Sequence, residues 1–182
     1  VGSGFSTYIA AKACLLNTKK SGVKSEFCVI DPFPNDTIKK GFPGMSALIQ
    51  KPMEQMPLEL FLQLDENDIL LIDSSHVVRI GGDVNYEYLE VLPRLKKGVV
   101  VHIHDIFLPK EYPKSLVFER HWFWSEQYLL QAFLSFNYAF EVLWAGYFMH
   151  HNYPRECKSV FPYYEEKDER HAPGSFWIRR KK

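Results

Sequence analysis

Apolar residues recur at three- and four-residue spacing from Phe5 to Asn17, at Phe5, Ile9, Ala13 and Leu16, and that period predicts a helix. Asn17 to Gly22 is its polar exit, with a glycine stop. Ser25 to Ile30 reads as a short strand closed by Asp31-Pro32, because Pro32 and Pro34 cannot continue a ladder. Asn35 to Gly44 is a polar connection with little pattern, and Ala47 to Gln50 reads as another short strand. Pro57 to Leu64 predicts a helix one turn after a favourable proline. The run Asp68 to Asp73 is the clearest strand, apolar throughout as in a sheet covered on both faces. Ser74 to Asp83 is a loop, Val84 to Leu92 a helix, Pro93 to Gly98 a turn and Val99 to His104 a second buried strand. Pro109 and Pro113 keep the next stretch irregular. Trp124 to Phe136 predicts a helix with Tyr128, Leu129, Ala132 and Phe136 on one face. Phe140 to Tyr147 and Gly174 to Arg179 read as two late strands, separated by a polar, aromatic-rich insertion over residues 148–173.

This alternation of strands and helices predicts a doubly wound α/β domain with a mostly parallel sheet, spanning residues 1–182 as one unit. Ligands of such sheets lie outside the carboxyl ends of the strands. The polar residues at those ends are Gly2 to Gly4, Asp31, Asp73 and His104-Asp105. The chain opens inside its first motif, so the first strand is expected to lie before Val1.

Composition narrows the function classes. A length of 182 residues with 46% apolar and 24% charged residues suits one globular domain with a sizeable core. Formal net charge is zero, so no polyanionic partner such as nucleic acid is implied. No apolar run is long enough for a membrane helix, and no signal peptide stands out. Cys14, Cys28 and Cys157 have no metal-ligand spacing. Cys14 and Cys28 sit in apolar surroundings and are expected to be buried free thiols of a reducing, cytoplasmic compartment. The 15% aromatic share is concentrated between Phe118 and Tyr164, and suits core, a substrate lid or the interface of a homo-oligomer. His150-His151, the charge run Glu165 to Arg170 and the basic terminus Arg179 to Lys182 read as solvated surface.

The chemistry starts at Gly2-Ser3-Gly4, which turns tightly into the first helix. With the positive end of that helix and the strand-end Asp31, it forms the start of a nucleotide-type cofactor site. A carboxylate such as Asp31 can accept from two vicinal hydroxyls; the plainer alternative is a turn cap before Pro32. Asp73 either caps the turn with Ser74 and Ser75 or lies near the reacting centre. His76, three residues on, fits a general base or an ordinary loop histidine. His102 and His104 share one strand face; His104-Asp105 falls at the carboxyl end, and the deeper His102 reads as a satisfied core histidine. Asp73, His104 and Asp105 could gather a divalent metal, but histidine is softer than magnesium prefers, so metal-free acid–base use ranks above a metal site.

These strand ends resemble those of the class I S-adenosylmethionine-dependent methyltransferases. Gly2-Ser3-Gly4 matches the glycine loop, Asp31 the ribose-holding acid, Asp73 the acid closing the fourth strand, and Leu92 to Val99 the turn into the fifth. Asp73-Ser74-Ser75-His76, Asp83-Val84-Asn85-Tyr86 and His102-Ile103-His104-Asp105 resemble a subgroup of small methyltransferase-like proteins. Ser6 stands where many relatives carry a third small glycine position. The resemblance implies a Rossmann-like, seven-stranded sheet whose C-terminal strand is antiparallel. It implies S-adenosylmethionine bound through Gly2, Ser3, Gly4, Ser6, Asp31 and Asp73. The methyl group would pass to an oxygen or nitrogen of a small-molecule or sugar-like acceptor beside Asp73, His76, His104 and Asp105. Trp122-Phe123-Trp124 and Tyr128, otherwise core or interface, fall where such enzymes build a substrate wall. Three alternatives remain: a metal-dependent hydrolase built on His102-x-His104-Asp105, a cofactor-binding module of the same fold without turnover, and a nicotinamide dehydrogenase, which calls for a wholly parallel sheet.

Overall fold

The computed structural model describes residues 4–164 and 173–182. They form two compact units, Val1–Met56 and Pro57–Lys182. Among the described residues the strands make two sheets, a pair in the first unit and four strands in the second, where a single sheet was expected. The run Glu165 to Arg170 lies outside the described residues.

In the first unit, helix α1 (Phe5–Ser21) ends at Gly22, whose left-handed backbone lets its N–H reach the Thr18 carbonyl. The helix forms as expected, but its inward face differs. Thr7 and Ala11 are buried, while Phe5, Ile9 and Leu16 are exposed. The reason is a close backbone approach: Gly44, at φ +100°, lies against the Ala11 carbonyl, where a side chain would not fit. Strands β1 (Cys28–Ile30) and β2 (Ala47–Ile49) pair in parallel, Cys28 opposite Ala47 and Ile30 opposite Ile49. Between them the supposedly unpatterned connection holds a one-turn helix, α2 (Asp36–Lys39), because the Asn35 side chain accepts the Ile38 N–H at 3.0 Å. Cys28 is exposed and Cys14 half-buried, against the expectation that both are buried; Cys157, in the second unit, is buried.

In the second unit, α3 (Leu58–Phe61) precedes β3 (Ile69–Ile72), which pairs in parallel with β4 (Val100–Ile103). The helix α4 (Asp83–Tyr86) runs on through a wide turn over Glu87–Val91 and tightens at Leu92–Arg94, where Pro93 has no N–H to give. Then come α5 (Glu126–Leu134), β5 (Phe140–Ala145) and β6 (Phe176–Arg180). The order is β3-β4-β6-β5, with β6 antiparallel to both neighbours. The late antiparallel pair is therefore present, and the wholly parallel sheet of a dehydrogenase is not. The expected insertion contains two helices, α6 (Gly146–Asn152) and α7 (Pro154–Val160).

Alternation across the second sheet sets its core. Val101, Ile103 and Ile178 are fully buried on one face with Val84, Tyr88, Val91 and Leu130. On the other face Ile69 and Leu71 are exposed, so the apolar run of β3 is not covered on both sides. In α5 the inward residues are Glu126, Gln127 and Leu130, whereas Tyr128, and Phe136 beyond the helix end, face solvent. Apolarity alone chose the wrong face because this helix buries a carboxylate and an amide. Among the described residues no helix is long and apolar enough to cross a membrane.

The fit at Gly44 is testable. Gly44→Ala combines a left-handed backbone with a clash against the Ala11 carbonyl, and is expected to destabilise the first unit by about 2 kcal/mol in urea unfolding. Unchanged stability would show that helix and loop do not meet this closely.

Candidate active site

At the carboxyl end of β1, Asp31 is buried, and its Oδ1 accepts the Phe33 N–H at 2.8 Å. Gly4 caps α1 at φ +83°, with Ile38 of α2 filling the space that a side chain would need. Both features belong to the first unit and are joined through α2. Gly2 and Ser3 lie outside the described residues. Ser6 is exposed in the first turn of α1.

The second unit gathers the acid–base residues. Because Ile72 and Ile103 are register partners, Asp73 and His104 follow them at neighbouring strand ends, and the His104 N–H donates to the Ile72 carbonyl at 2.9 Å. The chain then turns sharply at both exits. His76 has φ +59° and Asp105 φ +56°, conformations costly for residues with side chains. The His76 carbonyl is held by the N–H groups of Ser125 and Glu126 at 2.8 and 3.1 Å. Asp105 is held by Gly174, which lies so close that a side chain there would press on the Asp105 backbone, and whose carbonyl accepts the Ile106 N–H.

His76 is the hub. Its Nδ1 lies 2.8 Å from Oε2 of Glu126, a fully buried carboxylate whose Oε1 accepts the Tyr88 hydroxyl at 3.0 Å. Its Nε2 lies 3.6 Å from Asp73 Oδ1 and 3.8 Å from Asp105 Oδ2. Trp124 covers the ring at 4.5 Å between centroids. Burial alone would lower the basicity of this imidazole, but Asp73 and Glu126, aided by Asp105, raise its pKa to about 10. At neutral pH His76 is thus an imidazolium, a proton donor where a general base was expected. Burial would raise Asp73, yet the approach of His76 and the charge of His104 leave it below the ordinary carboxylate value. Behind the hub, Glu87 accepts the Ser74 hydroxyl at 2.9 Å; burial, with the Glu126 charge adding, raises it to about 8, so it is largely neutral at pH 7.

His104 is more exposed and approaches Asp105 Oδ1 at 3.6 Å. His102 stacks on Trp177 at 4.4 Å, and its two ring nitrogens are buried without a hydrogen-bond partner. It is held by stacking rather than by hydrogen bonds, and burial lowers its pKa to about 4. Among the described residues no group of three or more His, Cys, Asp or Glu side chains has the convergence to hold a metal ion. The structure thus brings together Asp73, His76, His104 and Asp105. It adds Glu126 and Tyr88, which sequence reasoning missed. The one available signal was an acid in the first turn of a predicted helix, ordinarily a solvated feature.

The hub predicts a pH dependence. A pKa raised above the unfolded value near 6.5 gives stability that is fully present below that value and is lost as pH rises toward 10. Urea stability should therefore fall from pH 7 to 10, with the His76 ring titrating near 10 by NMR. Glu126→Gln should bring that titration down and cost about 3 kcal/mol. A His76 that titrates near 6.5 in the unsubstituted protein would overturn the assignment.

A family model described as a methyltransferase domain matches residues 1–106, more than half of the chain. An uncharacterised protein of Archaeoglobus fulgidus is 37% identical over 71 residues, which cover 38% of this chain and 31% of that protein. The match thus spans about a third of that relative's length. No solved structure matches. With the domain match covering Gly4, Asp31, Asp73, His76 and Asp105, the chain belongs to the class I S-adenosylmethionine-dependent methyltransferase family.

Proposed function

We propose that the protein transfers a methyl group from S-adenosylmethionine to an oxygen or nitrogen nucleophile of a small-molecule acceptor. The observation that carries this reading is the buried His76, set beside the half-buried Asp73 and Asp105 at the ends of two adjacent parallel strands. A cluster of this kind can hold a nucleophile and accept its proton.

The first unit suits the methyl donor. Gly4 opens α1, and the positive end of that helix begins there. Asp31 sits at a strand end, and a carboxylate is the kind of group that accepts from ribose hydroxyls. Gly2, Ser3 and Ser6 would complete the turn. When bound, S-adenosylmethionine supplies an electrophilic methyl on a sulfonium, whose sulfur becomes a neutral thioether once the methyl has passed. A carboxylate near such a sulfur would favour its positive charge.

The acceptor's proton falls to Asp73 or Asp105. His76, already charged, faces both carboxylates with its Nε2 and holds them by charge, and His104 stands at the solvent side as the route by which the proton leaves. Glu126 is a positioning residue, because it holds His76 without reaching solvent. A cytoplasmic setting agrees with three free cysteines.

Isothermal titration tests the reading. S-adenosylmethionine and S-adenosylhomocysteine should bind with micromolar affinity. Asp31→Asn keeps an oxygen for the Phe33 N–H but removes the charge, and should weaken both by at least about tenfold. A folded protein that binds neither compound would overturn the proposal.

A further inference from the structure

Asp73 and His76 are the ends of a four-residue segment whose middle is Ser74-Ser75. Serine adds little bulk for packing and holds a turn through its hydroxyl and its backbone. Both serines dock on one helix. The Ser74 hydroxyl donates to Oε2 of Glu87 at 2.9 Å. Ser75 is gripped twice by Asp83: its N–H donates to Oδ2 at 2.8 Å and its hydroxyl to Oδ1 at 2.6 Å. Asp83 and Glu87 stand four residues apart, so the helix that starts with α4 turns both acids to the same side.

The chain on the other side of His76 is held by α5. The Val78 N–H donates to Ser125 Oγ at 2.8 Å, beside the Ser125 and Glu126 N–H groups that donate to the His76 carbonyl. His76, at φ +59°, is thus restrained before by α4 and after by α5. A left-handed conformation in a residue with a side chain persists only where its surroundings over-determine it. Release of the Ser75 side lets the backbone relax toward an ordinary φ, and the ring moves with it. Asn85, two residues beyond Asp83, restrains a different part of the loop: its side-chain amide donates to the Arg79 carbonyl at 2.7 Å.

We infer that Asp83 is a positioning residue of the hub. Through its two-pronged hold on Ser75 it fixes the left-handed turn at His76, and so sets His76 Nε2 against Asp73 and Asp105 and Nδ1 on Glu126. It acts through Ser75 rather than on a reacting group. The hold needs two acceptor oxygens on a planar fork, matched to one N–H and one O–H donor, which a carboxylate supplies. An amide of the same shape offers one acceptor oxygen and turns a donor toward the other prong. This role belongs to the geometry of the hub and is independent of the methyl-transfer reading.

Proton NMR of the full chain with isotope-labelled histidine tests this. The His76 Nδ1–H proton, hydrogen-bonded to Glu126, should give a low-field signal that exchanges slowly with water. Asp83→Ala should speed that exchange by about tenfold or more, and Asp83→Asn, with one acceptor oxygen left, by less. Asn85→Ala removes a hydrogen bond from the same turn of α4 and should leave the signal unchanged, which separates positioning of His76 from general support of the loop. Ser75→Ala keeps the backbone prong, should change the exchange in the same direction, and carries the test if Asp83→Ala does not fold. Circular dichroism checks the folding of each variant. An unchanged His76 signal in Asp83→Ala and Ser75→Ala, an equal effect from Asn85→Ala, or no slowly exchanging His76 ring proton in the unsubstituted protein would overturn the inference. Titration with S-adenosylmethionine bears only on the methyl-transfer reading, so the two can fail separately.

Discussion

The second unit depends on one buried ion pair, His76 with Glu126. Removing two charges from water costs several kcal/mol each, and their attraction offsets that cost only when the remaining hydrogen-bonding positions are also filled. Here both Glu126 oxygens are engaged, one by His76 Nδ1 and the other by the Tyr88 hydroxyl, while His76 Nε2 faces Asp73 and Asp105 at ion-pair distance. Four segments are tied by this set: the ends of β3 and β4, the helix through Tyr88 and the start of α5. Loss of any partner leaves a charge stranded in low dielectric, so the pair constrains the geometry of the strand ends more strongly than its net stabilisation would suggest.

The same pair determines where protons reside. An imidazole between carboxylates stays protonated through neutral pH, which removes His76 from the acceptors and makes it a fixed donor. The acceptor role then falls to carboxylates, and Asp73 is kept in its charged form by the imidazolium it faces. A second buried glutamate could have made the interior too negative. Glu87 avoids that by remaining largely neutral at pH 7, with Ser74 as its hydrogen-bond partner. One cation and three carboxylates are thus joined at the hub, with a protonated acid behind it.

Sequence patterning read the strands well, because an apolar run closed by an acid or His-Asp is a local signal. Asp31, Asp73 and His104-Asp105 all follow strands, and the β3–β4 pairing brings two of these ends together. It read the helix faces poorly. Ala11 is inward because Gly44 needs backbone-to-backbone contact, and Glu126 and Gln127 are inward because they meet polar partners from distant segments. Neither cause leaves a periodic trace. The partner of His76 is fifty residues away, so no local motif could single out Glu126, whereas His76 itself was visible as an ionisable residue next to a strand end.

Backbone strain links these observations to chemistry. Both strands leave the sheet through a residue with positive φ, His76 beyond β3 and Asp105 beyond β4. Each such conformation costs about 1–3 kcal/mol and persists only when its surroundings over-determine it. For His76 the surroundings are the first N–H groups of α5, and for Asp105 they are Gly174, on the approach to β6. The strain is therefore balanced by the two elements that complete the second unit late in the chain. The acid–base cluster is set before any ligand arrives, and a reacting group entering it meets donors and acceptors that need no rearrangement.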